Sequence, residues 1–141
     1  MIEVIGDIWD IGTVKVITTN GIVKNNMRAV MGAGVAKEAR DKFPGIDLTL
    51  GVMINNFGNR PHLINLDPVI VSFPTKWHWK EKADIKLIEK SAHNLVKIAD
   101  ALNFTFVSMP RPGCGNGGLA WEDVRKVIEP ILDHRFYICQ K

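Results

Sequence analysis

Apolar residues recur along this chain in two rhythms. Compact runs rich in valine, isoleucine and leucine occupy 2–5, 14–18, 48–54, 62–65, 69–73, 104–109 and 136–139. Glycine, proline, asparagine or aspartate bounds most of them, which predicts strands. Elsewhere the spacing lengthens to that of a helix. Val35, Ala39 and Phe43 share one face at spacing four and run into Pro44-Gly45, predicting a helix over 35–43. Ile88, Ser91, Ala92, Leu95, Ile98, Ala99 and Leu102 keep a 3.6-residue period over 84–102. A third helix opens at Trp121-Glu122-Asp123, whose acids suit a helix start, and buries Val124, Val127, Ile128 and Ile131. Pro130 is expected to end it. Strands alternating with three helices predict one α/β domain over residues 1–141: three layers, α/β/α, around a mixed, mostly parallel central sheet.

Composition narrows the class more than the function. With 141 residues, 46% hydrophobic and 23% charged, the chain is long enough for a core of its own and too apolar for disorder. Its net charge of +3 suits an anionic ligand without marking a nucleic-acid binder. Cys114 and Cys139 lie too far apart for a Cys-x-x-Cys motif, and His62, His78, His93 and His134 show no ligand spacing, so no metal and no cofactor is expected. Glu3 and Asp7 interrupt the positions a signal peptide would fill, and no apolar run reaches membrane-spanning length. A cytoplasmic, monomeric protein with reduced thiols and no membrane partner is the expectation.

Two glycine-rich loops carry the candidate chemistry. Met31-Gly32-Ala33-Gly34-Val35-Ala36 precedes the first helix, and Gly113-Cys114-Gly115-Asn116-Gly117-Gly118 joins a strand to the last helix. Glycine admits positive φ and close approach, so successive N–H groups can face phosphate oxygens beside a helix N-terminus. One such loop is usually only a turn. Two of them in one small α/β domain point to a ligand with a diphosphate. The second loop formally matches G-x-G-x-x-G, but it does not lie in a first βα turn and too little chain follows it for a dinucleotide unit. Asn20, Gly32, Lys76 and the Gly113 loop all follow predicted strands, so the sheet can gather them at one crevice.

These motifs, in this order, resemble the macro domain, an ADP-ribose-binding module. The resemblance runs through Gly6-Asp7-Ile8, Asn20, Met31-Gly32-Ala33-Gly34-Val35-Ala36, Phe73-Pro74-Thr75-Lys76 and the segment from Pro110-Arg111-Pro112-Gly113 to Leu119-Ala120-Trp121. It is strongest toward the terminal ADP-ribose glycohydrolase and the antitoxin macro domains that remove ADP-ribose from DNA. It implies that Asp7, with the Ile8 backbone, reads the adenine amino group and that Asn20 contacts the distal ribose. Gly32, Ala33, Gly34 and Val35 would wrap that ribose and the adjoining phosphate. Pro110, Gly113, Cys114, Gly115, Asn116, Gly117 and Gly118 would form the diphosphate cradle. Lys76 would stand near the anomeric carbon and, with Asn20, carry catalysis. Two departures stand out. Gly117 replaces the catalytic aspartate of the terminal glycohydrolase, and the stretch 23–30 before the first loop reads as an insertion.

Three functions follow as alternatives. The leading one hydrolyses an ADP-ribosyl bond on DNA, on protein or at a terminal phosphate of ADP-ribose. A module that holds ADP-ribose or a related nucleotide without turnover is the second. The third is a small nucleic-acid binder, suggested by Lys76-Trp77-His78-Trp79-Lys80, where bases alternate with aromatics. The partners implied are ADP-ribose or an ADP-ribosylated substrate, with nucleic acid as a carrier of the modification. Cys114 beside a helix start has no adjacent histidine in sequence, so a nucleophilic role is not expected of it. Lys76 is expected to act as a positioning cation rather than as an attacking amine.

Overall fold

A computed structural model describes residues 1–141. Its sheet has six strands: β1 (Ile2–Ile5), β2 (Val14–Thr19), β3 (Leu63–Leu66), β4 (Val69–Pro74), β5 (Val107–Pro110) and β6 (Phe136–Gln140), in the order β1-β6-β5-β2-β4-β3. Every neighbouring pair is parallel except β3 with β4, so β1, β6, β5, β2 and β4 all end at one edge of the layer. Four helices cover it: α1 (Gly34–Lys42), α2 (Ile46–Phe57), α3 (Ile85–Leu102) and α4 (Trp121–Ile128), with single 3-10 turns at Ile8–Asp10 and Gly115–Gly117. None is long and apolar enough to cross a membrane.

Alternation along the central strands builds a core on each face of the sheet. Val14, Val16, Val71, Phe73, Val107, Met109, Phe136 and Ile138 meet Ile88, Leu95, Ala99, Val124 and Ile128 on the α3 and α4 side. Ile17, Ile70 and Cys139 meet Met31, Ala39, Leu50 and Ile54 on the α1 and α2 side. Central parallel strands buried on both faces are what crossover helices produce.

Two sequence expectations are corrected. The run 48–54 is not a strand but lies within α2, giving four helices rather than three. Ile46, Leu50 and Ile54 are buried at spacing four, whereas Leu48 and Val52 are each 39% exposed. The apolar outward positions hide the helical period. The strand expected at 104–109 begins only at Val107. Asn103 takes a left-handed conformation as the C-cap of α3, and the Phe104 N–H donates to the Ala99 carbonyl, so those residues finish the helix.

The stretch 23–30 folds as a tight hairpin, with a Val23–Ala29 bridge and Met27 at φ 68°. It is pinned to α2 in two ways. Arg28 Nη1 lies 2.7 Å from the mostly buried Asp47 Oδ1, and Gly51 receives the Met27 carbonyl in space that any side chain would fill.

Candidate functional site

Because β2, β4 and β5 are adjacent and parallel, the segments that leave their carboxyl ends converge. They enclose a cavity of about 810 Å³, of the size ordinary for a small-molecule site. Asn20 follows β2, Thr75 and Lys76 follow β4, Pro110 ends β5 with Arg111 and Gly113 to Gly117 after it, and the loop before α1 closes the remaining wall. The structure therefore unites Asn20, Gly32, Ala33, Gly34, Val35, Lys76, Pro110, Gly113, Cys114, Gly115, Asn116 and Gly117 in one lining.

The glycines divide by task. Gly34 and Gly115 hold φ of 57° and 67°, and each has open space where a Cβ would stand; the sole neighbour within 4 Å is the Asn116 side chain, 3.8 Å from the Gly34 position. The two loops thus face each other across the cavity with bare backbone. Gly113 and Gly117 serve packing instead: a Cβ would come within 2.6 Å of Ile88 Cδ1 at the first and 2.9 Å of the Ala83 Cβ at the second. Helix α1 begins at the first loop with Ala33 as its N-cap and no side chain bonded to its leading N–H groups. Those donors and the helix dipole are available to an anion.

Charge around the cavity has one sign. Its lining contains Lys76 and Arg111 and no carboxylate. Lys76 Nζ donates to the Asn116 carbonyl at 3.2 Å and the Trp79 carbonyl at 3.3 Å, so the lysine clasps the second loop. Both acceptors are neutral, and the ammonium charge stays available to a ligand. Arg111 is held from behind: its guanidinium lies over the Trp121 ring at 4.9 Å and 3.7 Å from Glu3. Asn20 is committed to the chain, since its Nδ2 donates to the Val30 carbonyl and its Oδ1 accepts from the Ile22 N–H, both at 3.0 Å. That side chain ties the hairpin to the end of β2 and fixes the start of the first loop. Burial pushes the Cys114 thiol up despite the nearby Arg111 cation, so it is poorly suited to act as a thiolate.

Asp7, Ile8 and Gly118 lie outside this lining. Asp7 caps a 3-10 turn, accepting from the Trp9 N–H at 3.0 Å, and its other oxygen lies 3.1 Å from Lys141 Nζ. Burial opposes its ionisation, but those two partners outweigh burial and hold the carboxyl below the usual range. Ile8 is a core residue whose carbonyl accepts the Ser108 hydroxyl at 2.8 Å. Conversely, the cavity includes Thr18, Thr19, Thr75, Trp79 and Arg111, which sequence reasoning did not place there. Three of these are threonines at strand ends. Nothing in sequence separates them from ordinary sheet residues.

The Macro domain family model matches residues 15–128. The chain belongs to the macro domain family. A DNA ADP-ribosyl glycohydrolase of Mycobacterium tuberculosis is 30% identical to this macro domain over 116 residues, which is 72% of this chain and 31% of that protein. The chain therefore spans about a third of the length of the mycobacterial relative. Among solved structures, the macrodomain of Mycobacterium tuberculosis DarG shares the fold at TM-score 0.83 and 24% identity, covering 99% of this chain and 97% of that one. Thermosipho africanus DarTG in complex with ADP-ribose aligns at TM-score 0.80 and 25% identity, covering 97% of this chain and 40% of that one.

Proposed function

We propose that this macro domain binds ADP-ribose in the cavity between its two glycine loops and hydrolyses an ADP-ribosyl bond to DNA. The observation that carries the reading is the carboxylate-free cavity, with bare loop backbone on both walls and Lys76 clasped at the second loop. A diphosphate would lie among the N–H groups of the Gly113–Gly118 loop and the uncapped start of α1. The distal ribose would lie against Asn20, Gly32, Ala33, Gly34 and Val35, with the adenine toward Asp7 and Ile8. The relatives named DNA ADP-ribosyl glycohydrolases support DNA as carrier over protein or a terminal phosphate.

In this reading water attacks the anomeric carbon, the bond to the base breaks, and the proton from water passes to the departing base. Lys76 acts as a fixed cation beside that carbon, stabilising charge on the leaving group or holding the water in line. Gly117 packs against Ala83, so no acid can occupy that loop position without displacing α3's leading segment. The same absence favours a second reading, binding without turnover. Incubation with ADP-ribosylated DNA, ADP-ribosylated protein and ADP-ribose 1″-phosphate, followed by mass spectrometry, separates the two. Release from DNA supports hydrolysis; ADP-ribose binding with no release from any substrate leaves the binding module. Lys76→Ala is expected to lower turnover on DNA by about 10²-fold or more while changing ADP-ribose affinity by less than about 1.4 kcal/mol. Unchanged turnover would remove Lys76 from the mechanism.

A further inference from the structure

A second, smaller cleft of about 300 Å³ lies across the Lys76-Trp77 backbone from the cavity. Lys76 lines the first space and Trp77 the second. The wall between them is firmly built. The Asn59 Nδ2 donates to the Lys76 carbonyl at 3.0 Å, and the Gly21 N–H donates to the Trp77 carbonyl at 3.3 Å. A Cβ at Gly21 would lie within 3.1 Å of both Asn59 and Trp77, so glycine next to Asn20 is what lets the wall close.

The cleft is furnished unlike a patch of leftover surface. Phe57 at the end of α2 is 63% exposed and Trp77 is 51% exposed. Arg60 and Lys90 bring two cations, Asn59 and Asn94 bring amides, and the lining holds no carboxylate. The indole N–H donates to Asp84 Oδ2 at 3.1 Å, which ties the ring by its edge while half of the residue stays exposed. Two exposed aromatic side chains with neighbouring cations fit a stacked base and its phosphate.

Building on the DNA reading above, we infer that this cleft seats the nucleotide adjoining the modified one on a single DNA strand. Its base would lie against Trp77 and Phe57, and its phosphate would face Arg60 and Lys90. Lys76 and Trp77 are consecutive, so the two spaces adjoin across one stretch of backbone, and a strand crossing the rim of that wall leads from one to the other.

The test compares the wild type with Trp77→Ala and with the double variant Arg60→Ala/Lys90→Ala. Binding of an unmodified single-stranded DNA oligonucleotide is followed by fluorescence anisotropy at several salt concentrations, and ADP-ribose binding by calorimetry. Turnover is measured on an ADP-ribosylated oligonucleotide and on a single ADP-ribosylated nucleoside. Both variants should bind the oligonucleotide about tenfold or more weakly, with ADP-ribose affinity kept within twofold. The double variant should also lose about 0.7 from the slope of log K against log salt, the share of one single-strand phosphate. Their kcat/KM should fall on the oligonucleotide and not on the nucleoside. Oligonucleotide affinity within twofold of wild type in both variants overturns the proposal, as does a wild type with no salt-dependent binding. Normal processing of the oligonucleotide by the variants would sink the cleft and leave the hydrolase reading standing. Oligonucleotide binding lost in the variants, with no release from DNA by the wild type, would sink the hydrolase reading alone.

Discussion

At Gly115 the backbone sits at φ 67° with nothing within 4 Å of where a side chain would start. A valine there meets two penalties of different kinds. The left-handed backbone costs roughly 1–2 kcal/mol against a typical domain stability of about 5–15 kcal/mol, so the fold survives. Its branched side chain would project into the space assigned to phosphate oxygens. Gly115→Val is therefore expected to remain folded by circular dichroism and to give no calorimetric heat with excess ADP-ribose. A folded variant that binds as wild type would move the diphosphate away from this loop. Gly117 is the instructive contrast, because its missing side chain serves packing against Ala83 rather than ligand space.

Among the elements, α2 teaches most. Its outward face mixes Leu48, Val52 and Phe57 with Thr49, Asn55 and Asn56, so its sequence lacks the continuous polar stripe that identifies a surface helix. Its role is also indirect: α2 anchors the hairpin that Asn20 ties to the first loop. Gly51 is the contact point, and a methyl group there would collide with the Met27 carbonyl. Gly51→Ala should destabilise the protein by about 1–3 kcal/mol, seen as a lower urea midpoint, even though alanine is the better helix former. A midpoint equal to or above wild type would mean that the hairpin yields freely.

Over the whole molecule, acid stability has an identifiable local source. Arg135 grips Asp133 through two guanidinium hydrogen bonds, at 2.9 and 2.7 Å, and one from its backbone N–H at 3.0 Å, and also pairs with Asp100 at the end of α3 at 2.9 Å. That grip lowers the Asp133 carboxyl to about 2 from an ordinary 3.8. The unfolded chain takes up this proton first as pH falls, so the contribution is complete above about 3.8 and is lost as pH drops through about 2. Urea midpoints across that interval should fall less steeply for Asp133→Asn than for wild type. Parallel curves would show that the pair does not bear on stability.

The sequence by itself determined the α/β class, the long α3 and the two glycine loops, because these depend on local spacing, turn chemistry and backbone freedom. It also determined that Asn20, Lys76 and the second loop follow strands, and parallel strands that end together bring such residues to one edge. What needed tertiary structure was everything set by distant neighbours. The run 48–54 became helix because burial across α2 prevailed over its strand-like composition. Thr18, Thr19, Thr75 and Trp79 became cavity residues only through strand order. Gly113 and Gly115, two residues apart in one motif, took opposite roles because Ile88 stands behind one and open space lies before the other. Local sequence fixes what a backbone can do. Which side of it meets solvent, ligand or core depends on residues dozens of positions away.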